Sequence, residues 1–297
     1  MVNITEHPVT VDGVRLDTLA WGIETSGLRL GGLRSGNALL AGMDGEVPSL
    51  EDSREPSAYT LRLFVLGTDE DGTVPFGSSR VSELRANLDE LLHLFARTHR
   101  LIDLRETIAP GVQRQAWAKV IDAIEPEIEP GQIARLTVAL TIPGCYWRDV
   151  EAATWSRTGA VAGTAYRVTH LTGTTAPVDD AVALVRGPVT NPTVNVLDED
   201  GSTLAWVRLN EALPAGSEWR VNCATWASRV GTALAIDSAD DAGSDRTALT
   251  DHGGRYPGLL RLSPVRVGGE RIVQVSLTGT GFTAETGLAV RARGAYL

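Results

Sequence analysis

Cysteine is scarce in this chain: Cys145 and Cys223 are the only two, in different halves, neither in a C-x-x-C pattern nor at zinc-ligand spacing from a histidine. That excludes a disulfide scaffold and leaves two buried free thiols as the expectation. Long apolar runs are missing as well. The longest, such as AVALV at 181–185, fall far short of the roughly 20 residues that cross a bilayer. The opening MVNITEHPVT has neither the basic start nor the apolar centre of a secretory leader, so the expectation is a soluble chain made in the cytoplasm. Basic residues are outnumbered, 27 against 37 acidic ones, for a formal net charge of −10. A protein that wraps a nucleic-acid backbone needs clustered Lys and Arg, so that role is excluded as the main one.

Catalytic signatures are equally sparse. The five histidines, His7, His93, His99, His170 and His252, never form an i, i+4 metal pair with a neighbouring acid, and no G-x-S-x-G, P-loop or Rossmann fingerprint occurs. The acidic clusters TDEDG at 68–72 and DEDGS at 198–202 invite glycosidase or calcium readings. Both end in Asp-Gly between apolar runs, however, which favours hairpin turns, and neither supplies the third ligand position and bidentate Glu of an EF-hand. No enzyme, metal or cofactor is expected.

What the chain does have is alternation. In LTVALTI at 136–142, Leu136, Val138, Leu140 and Ile142 share one face while Thr137, Ala139 and Thr141 share the other, as a half-buried strand requires. Further strands are predicted at 9–16, 60–67, 116–124, 165–171, 193–198, 203–209, 219–226, 271–277 and 288–293. One segment, 79–97, carries a period of 3.6 instead. Val81, Leu84, Leu88, Leu91, Leu92 and Phe95 form an apolar stripe with Arg85, Asn87, Asp89, Glu90 and His93 opposite. This is an amphipathic helix capped by Ser78 or Ser79, without the strict capping-box spacing, and expected to lie on a sheet.

At 297 residues two domains are the prior, and 43% hydrophobic with 22% charged residues is ordinary for globular chains. The small, polar stretch SRTGAVAGTA at 156–165 follows an aromatic-rich segment, and only strand-like runs and turns lie downstream. The boundary is therefore set near 150. Residues 1–150 are expected to form a β-sandwich or barrel-like domain with one packed helix, and 151–297 an antiparallel sandwich. The acidic, aperiodic stretch 237–254 reads as a long exposed loop of the second domain.

Two places stand out as candidate binding surfaces. GNALLAGMDGEVP at 36–48 sets Leu39, Leu40 and Met43 among glycines and a closing proline. It reads as a buried hairpin tip, a ligand-binding loop, or an arm buried only against another copy of the chain. Among the seven tryptophans, Trp206 is out of phase with Val207 and Trp226 with Thr225, so at least one can face outward and stack a sugar ring, although core packing is the commoner fate of tryptophan in a sandwich.

The order of these segments resembles the distal tail protein of long-tailed, non-contractile bacteriophages, particularly minor tail proteins of actinobacterial phages. The resemblance runs through VDGVRLDTLAWGIET, the loop GNALLAGMDGEVP with Met43 where an arginine is common, the helix, and RQAWAKVIDAIEPEIEPGQIARLTVALTIPGCYWRD. It continues through NPTVNVLDEDGSTLAWVRLNEALPAGSEWRV, PGLLRLSPV and LAVRARGAYL, similar to a galectin-like or carbohydrate-binding-module-like sandwich. The resemblance implies a structural virion protein in a hexameric ring at the tail tip. Residues 1–150 would form a tail-tube-like ring domain, with partners in the tail tube, the tail hub and other minor tail proteins. Leu39, Leu40, Met43 and Arg34 would then meet a neighbouring subunit, with Arg29 and Arg34 facing acids across the boundary. The alternative is a carbohydrate-binding protein that contacts host glycans through Trp206 and Trp226.

Overall fold

The computed structural model describes residues 8–34, 53–96, 99–129, 133–254 and 260–297. They fall into two compact units, one within residues 8–150 and one spanning Glu151–Leu297.

The first unit contains eleven strands: β1 Val9–Val11, β2 Val14–Arg15, β3 Trp21–Arg29, β4 Leu33–Arg34, β5 Ser53–Arg54, β6 Ser57–Leu66, β7 Ile102–Ala109, β8 Val112–Val120, β9 Glu127–Glu129, β10 Ile133–Ile142 and β11 Trp147–Asp149. Its single helix, α1, spans Arg80–Phe95. The main sheet runs β2-β1-β7-β8-β10-β6-β3. β6 and β10 pair along their whole length, from Ser57↔Ile142 to Leu66↔Ile133, so Leu61, Leu63, Val65, Leu136, Val138 and Leu140 share one buried face. Period-two alternation and full register are the same fact seen twice. The end strands β2 and β3 are joined by residues 16–20 alone, and the Trp21 indole N–H donates to the Arg15 carbonyl at 2.8 Å. Among the described residues no ladder joins β2 to β3, so the sheet stays open along β3. At the β1–β2 turn Asp12 and Gly13 both take positive φ, 50° and 84°, as a two-residue hairpin loop demands.

The helix packs on β6 and β10. Its apolar face differs from the sequence expectation in four positions, Leu92 being only half-buried. Leu94 and Asn87 are buried, whereas Val81 is 45% exposed. Asn87 is polar yet belongs inside because its amide donates to the Leu66 and Thr68 carbonyls, at 2.8 and 2.7 Å, satisfying backbone groups where β6 ends. Ser79 is the cap, and a capping box does form: Ser82 replaces the usual Glu or Gln, accepting from the Ser79 amide at 2.9 Å.

The described part of the second unit holds two large antiparallel sheets and a small hairpin of Val265–Val267 with Glu270–Ile272. One is ordered Ala153–Thr158, Gly287–Ala292, Val182–Arg186, Ser217–Asn222, Ala227–Thr232, Ser244–Asp245, and the other Tyr166–Arg167, Gln274–Thr280, Val189–Leu197, Thr203–Leu209, Thr250–Gly254. Trp219, wholly buried, donates its indole N–H to Ser228 Oγ at 2.9 Å, and Ser228 bonds Thr250 Oγ1 at 2.6 Å, so a polar chain ties one sheet to the other. The chain is thus mainly β with a single α-helix among the described residues.

Several expectations are corrected. Only Tyr166–Arg167 of 165–171 is strand, because Thr169–Leu171 turns into a 3-10 helix. TDEDG does not join two strands but leads from β6 into α1. DEDGS does close a hairpin, with Asp198 N–H donating to Ser202 O at 2.7 Å and Gly201 at φ 83°. The stretch 237–254 is no loose loop: it contains Ser244–Asp245 and Thr250–Gly254 as strands. Cys223 is buried, and that burial pushes its thiol up to about 12, while Cys145 is only half-buried; neither is in a disulfide.

Candidate functional site

The chain segment around the glycine-rich loop is organised from its base. Beyond β3, Gly31 passes so close to residue 55 that an added Cβ would lie 1.9 Å from the Glu55 carbonyl oxygen, and only glycine is accommodated there. β4 and β5 then pair, Leu33↔Arg54 and Arg34↔Ser53, and the Arg54 guanidinium donates to the Gly31 carbonyl at 3.0 Å. The intervening residues, including Leu39, Leu40 and Met43, lie outside the described residues. The backbone of Arg34 is placed on β4. Arg29 ends β3 and is exposed.

The rest of the first unit presents an apolar and acidic surface. Phe76, Ile121, Ile128, Trp117 and Val112 are all exposed. A groove of about 750 Å³ crosses the outer face of β6 and β10, lined by Glu24, Arg62, Asp122, Glu125, Glu127 and Arg135 among others. Arg135 is committed within it, to Glu24 at 2.5 Å and to Glu129. Its charged lining is mixed, with the carboxylates of Glu24, Asp122, Glu125 and Glu127 facing Arg62 and Arg135. Among the described residues no group of three or more His, Cys, Asp or Glu side chains converges to hold a metal ion.

In the second unit the two candidate tryptophans have different fates. Trp206 is half-buried, its ring lying over Gly253, where an added Cβ would come within 2.8 Å of it. Trp226 is 45% exposed, sits at φ 64°, and meets the His252 ring edge-on at 4.8 Å. A bulky residue in the left-handed region is uncommon. Its turn is fixed by the neighbouring Asp240, which accepts from Thr225 Oγ1 at 2.7 Å, Asn222 Nδ2 at 3.0 Å and Arg220 Nη2 at 2.8 Å. Burial pushes the Asp240 carboxyl up, but the hydrogen bonds from Thr225, Asn222 and Arg220 outweigh it and hold the group below the usual carboxylate range. Sequence reasoning missed this anchor and missed Phe76. The signal for Phe76 is a Pro-Phe-Gly tripeptide one residue ahead of the Ser79 cap.

No protein-family model and no curated protein matches the chain. Solved structures do. The SPP1 Dit (gp 19.1) protein, a paradigm of the hub adsorption apparatus in phages infecting Gram-positive bacteria, matches with a TM-score of 0.57 at 14% identity, over 99% of this chain and 100% of that one. The baseplate of phage p2 in its activated conformation matches at 10% identity, with TM-scores of 0.39 for the form with Sr and 0.38 for that with Ca, covering 97% and 98% of this chain and 98% of each matched chain. The described chain therefore shares its fold with the SPP1 Dit protein.

Proposed function

We propose that the protein is a structural subunit of a bacteriophage tail tip. Copies of its first unit form a ring, hexameric by analogy, at the distal end of a long non-contractile tail. The ring joins the tail-tube protein to the tail hub and host-adhesion apparatus. On this reading the chain is assembled in the host cytoplasm and resides in the virion. The observation that carries it is the end-to-end fold match to a hub protein of this class.

The surface is suited to such a role. A ring repeats one heterologous contact until it closes, so each copy must offer two different patches. The first unit has exposed apolar side chains and the free long edge of β3 for this. Copies at −10 each repel one another, and apolar burial or basic neighbours must offset that repulsion. The loop at 36–48 serves as an arm in this arrangement, with Leu39, Leu40, Met43 and Arg34 at a subunit boundary. Electron microscopy of concentrated protein should show rings or ring fragments. A chain that stays monomeric and ignores tail-tube and hub proteins overturns the proposal. Replacing Leu39 and Leu40 together by Ser should weaken rings without lowering monomer stability; a destabilised monomer with intact rings removes the arm.

A second reading, a glycan-binding surface on the second unit, is favoured by Trp226, exposed and held in a left-handed conformation. A glycan array separates the two, since a purely architectural sandwich gives no sugar-dependent signal.

A further inference from the structure

The first unit carries both a rigid apolar knob and a vacant apolar hole, at opposite ends of one helix. The knob is Phe76, fully exposed. It stands on a turn closed by the Ser78 N–H donating to the Pro75 carbonyl at 3.0 Å, with Gly77 at φ 86° as the next corner. The chain on both sides is fixed. Upstream, Asp69 Oδ1 accepts from the Thr73 amide at 2.7 Å and Oδ2 from the Thr73 hydroxyl at 2.8 Å, bonds that hold its carboxyl below the ordinary range. Downstream, Ser79 and Ser82 lock the start of α1. A phenyl ring displayed on a braced turn has lost its backbone freedom before any partner arrives, which is how a contact anchor is built.

The hole is a cleft of about 120 Å³ lined by Val14, Trp21, Glu90, Leu91, His93 and Leu94. Trp21, Leu91 and Leu94 are buried, and Val14 is 37% exposed. A dry apolar cavity of about 150 Å³ accepts a benzene molecule, so an open-mouthed cleft of this size suits one phenyl ring. Charge agrees with shape: Arg80 follows the knob, and Glu90 borders the hole. From Arg80 to Leu91 the helix advances about 17 Å, so knob and hole are separate patches, as a head-to-tail contact requires.

We propose that Phe76 of one copy enters the Val14–Trp21–Leu91–Leu94 cleft of the next, forming a repeating contact of the ring. This rests on the tail-tip reading and specifies its interface.

Sedimentation velocity of the full chain tests it with Phe76→Ser, which removes the knob, and Val14→Trp, which fills the hole. Each should raise the concentration for half-assembly by about tenfold or more, the usual effect of losing a buried aromatic anchor. Thermal melting of each monomer should be unchanged, since both sites are at the surface. Mixed in equal amounts, the two variants should form heterodimers and no rings, because one intact knob meets one intact hole and both outer ends are dead. In a Ser78→Cys, Glu90→Cys double variant, which keeps Phe76 and places thiols beside the knob and the hole, oxidation should yield a ladder of intermolecular crosslinks. Rings unaffected by both single variants, or a crosslink confined within one copy, overturn this contact and leave the ring reading standing. A wild-type chain that remains monomeric at all concentrations, or stops at a dimer, overturns both.

Discussion

The two units spend their side chains differently. Among the described residues the first unit exposes ten large hydrophobic side chains and buries three polar ones, Ser57, Asn87 and Gln115, while the second exposes five and buries eight, including Glu218 and Arg220. Exposed apolar groups cost solubility unless something covers them, and buried polar groups cost stability unless they are paired. The first unit therefore has its unmet needs on the outside, where another protein can answer them. The second pairs its buried charges internally: Arg186 holds Oε1 of the buried Glu218 at 2.6 Å, and the buried Arg220 donates to the Ala239 carbonyl at 3.1 Å as well as to Asp240. The contacts proposed for assembly accordingly fall on the first unit, where the exposed apolar side chains are concentrated.

The strongest way to break that contrast is to damage the second unit and ask whether the first still assembles. Trp219→Ala empties the centre of the sandwich and strands the Ser228 hydroxyl, at an expected cost of about 4 kcal/mol. Denaturant unfolding should show the loss in the second unit, and electron microscopy should still show rings. If rings vanish together with the fold of the second unit, assembly is not a property of the first alone.

Next in size is Asp240→Ala, which leaves the buried Arg220 without its carboxylate and frees Thr225 and Asn222, for an expected loss of about 2–3 kcal/mol. Asp240's folded pKa lies below its unfolded value, so its contribution is complete above the unfolded pKa of about 4 and fades as pH falls through the folded one. The wild-type acid limb should therefore begin near pH 4, and Asp240→Asn should flatten it. An unchanged limb in the variant shows that other carboxylates dominate there.

How much of this was legible beforehand depends on which strands are asked about. Ser57–Leu66 and Ile133–Ile142 are central and one-sided, so burial wrote a clean alternation into them. Trp21–Arg29 is an edge strand whose exposed half reads ETSG, and Ile102–Ala109 interleaves charges that pair among themselves, as Asp103 does with Arg105 at 2.8 Å. Each keeps only two alternating apolar residues, Trp21 and Ile23 in one and Ile102 and Leu104 in the other, too short a run to mark a strand. Stretch 237–254 reads as a long exposed loop because it is polar, acidic and aperiodic. It is held by bonds from distant strands, Arg220 and Arg229 both reaching residue 240, which no local pattern records. The candidate residues divide similarly: phase correctly set Trp206 apart from Val207, yet nothing in phase could show that Trp226 would stand at positive φ.

A smaller effect sharpens the account of the knob. Ser79→Ala removes the hydroxyl that accepts from the Ser82 amide at 3.2 Å and should cost about 1 kcal/mol of first-unit stability. Because Ser79 also braces the turn that displays Phe76, assembly should weaken in the variant by more than its stability loss accounts for. Equal losses would mean the turn holds its shape without the cap.

The smallest expected change in stability lies at Trp226→Gly, where two opposing terms meet. Holding a non-glycine residue at φ 64° costs about 1–2 kcal/mol, which glycine would relieve. Against that, the variant loses the edge-on contact with His252 at 4.8 Å, worth about 0.5–1.5 kcal/mol, and adds glycine's extra freedom in the unfolded chain. The net shift in unfolding free energy should stay within about 1 kcal/mol, far below that of Trp219→Ala, although both remove an indole. A near-zero shift means that folding gains little from keeping a tryptophan in a strained, exposed place, and binding is then the remaining reason for it. Sugar-dependent retention on host cell-wall polysaccharide, present in wild type and absent in Trp226→Gly, would assign that binding to glycans. A loss of several kcal/mol would instead make Trp226 a structural clamp between Ala227–Thr232 and Thr250–Gly254, and the glycan reading would lose its main support.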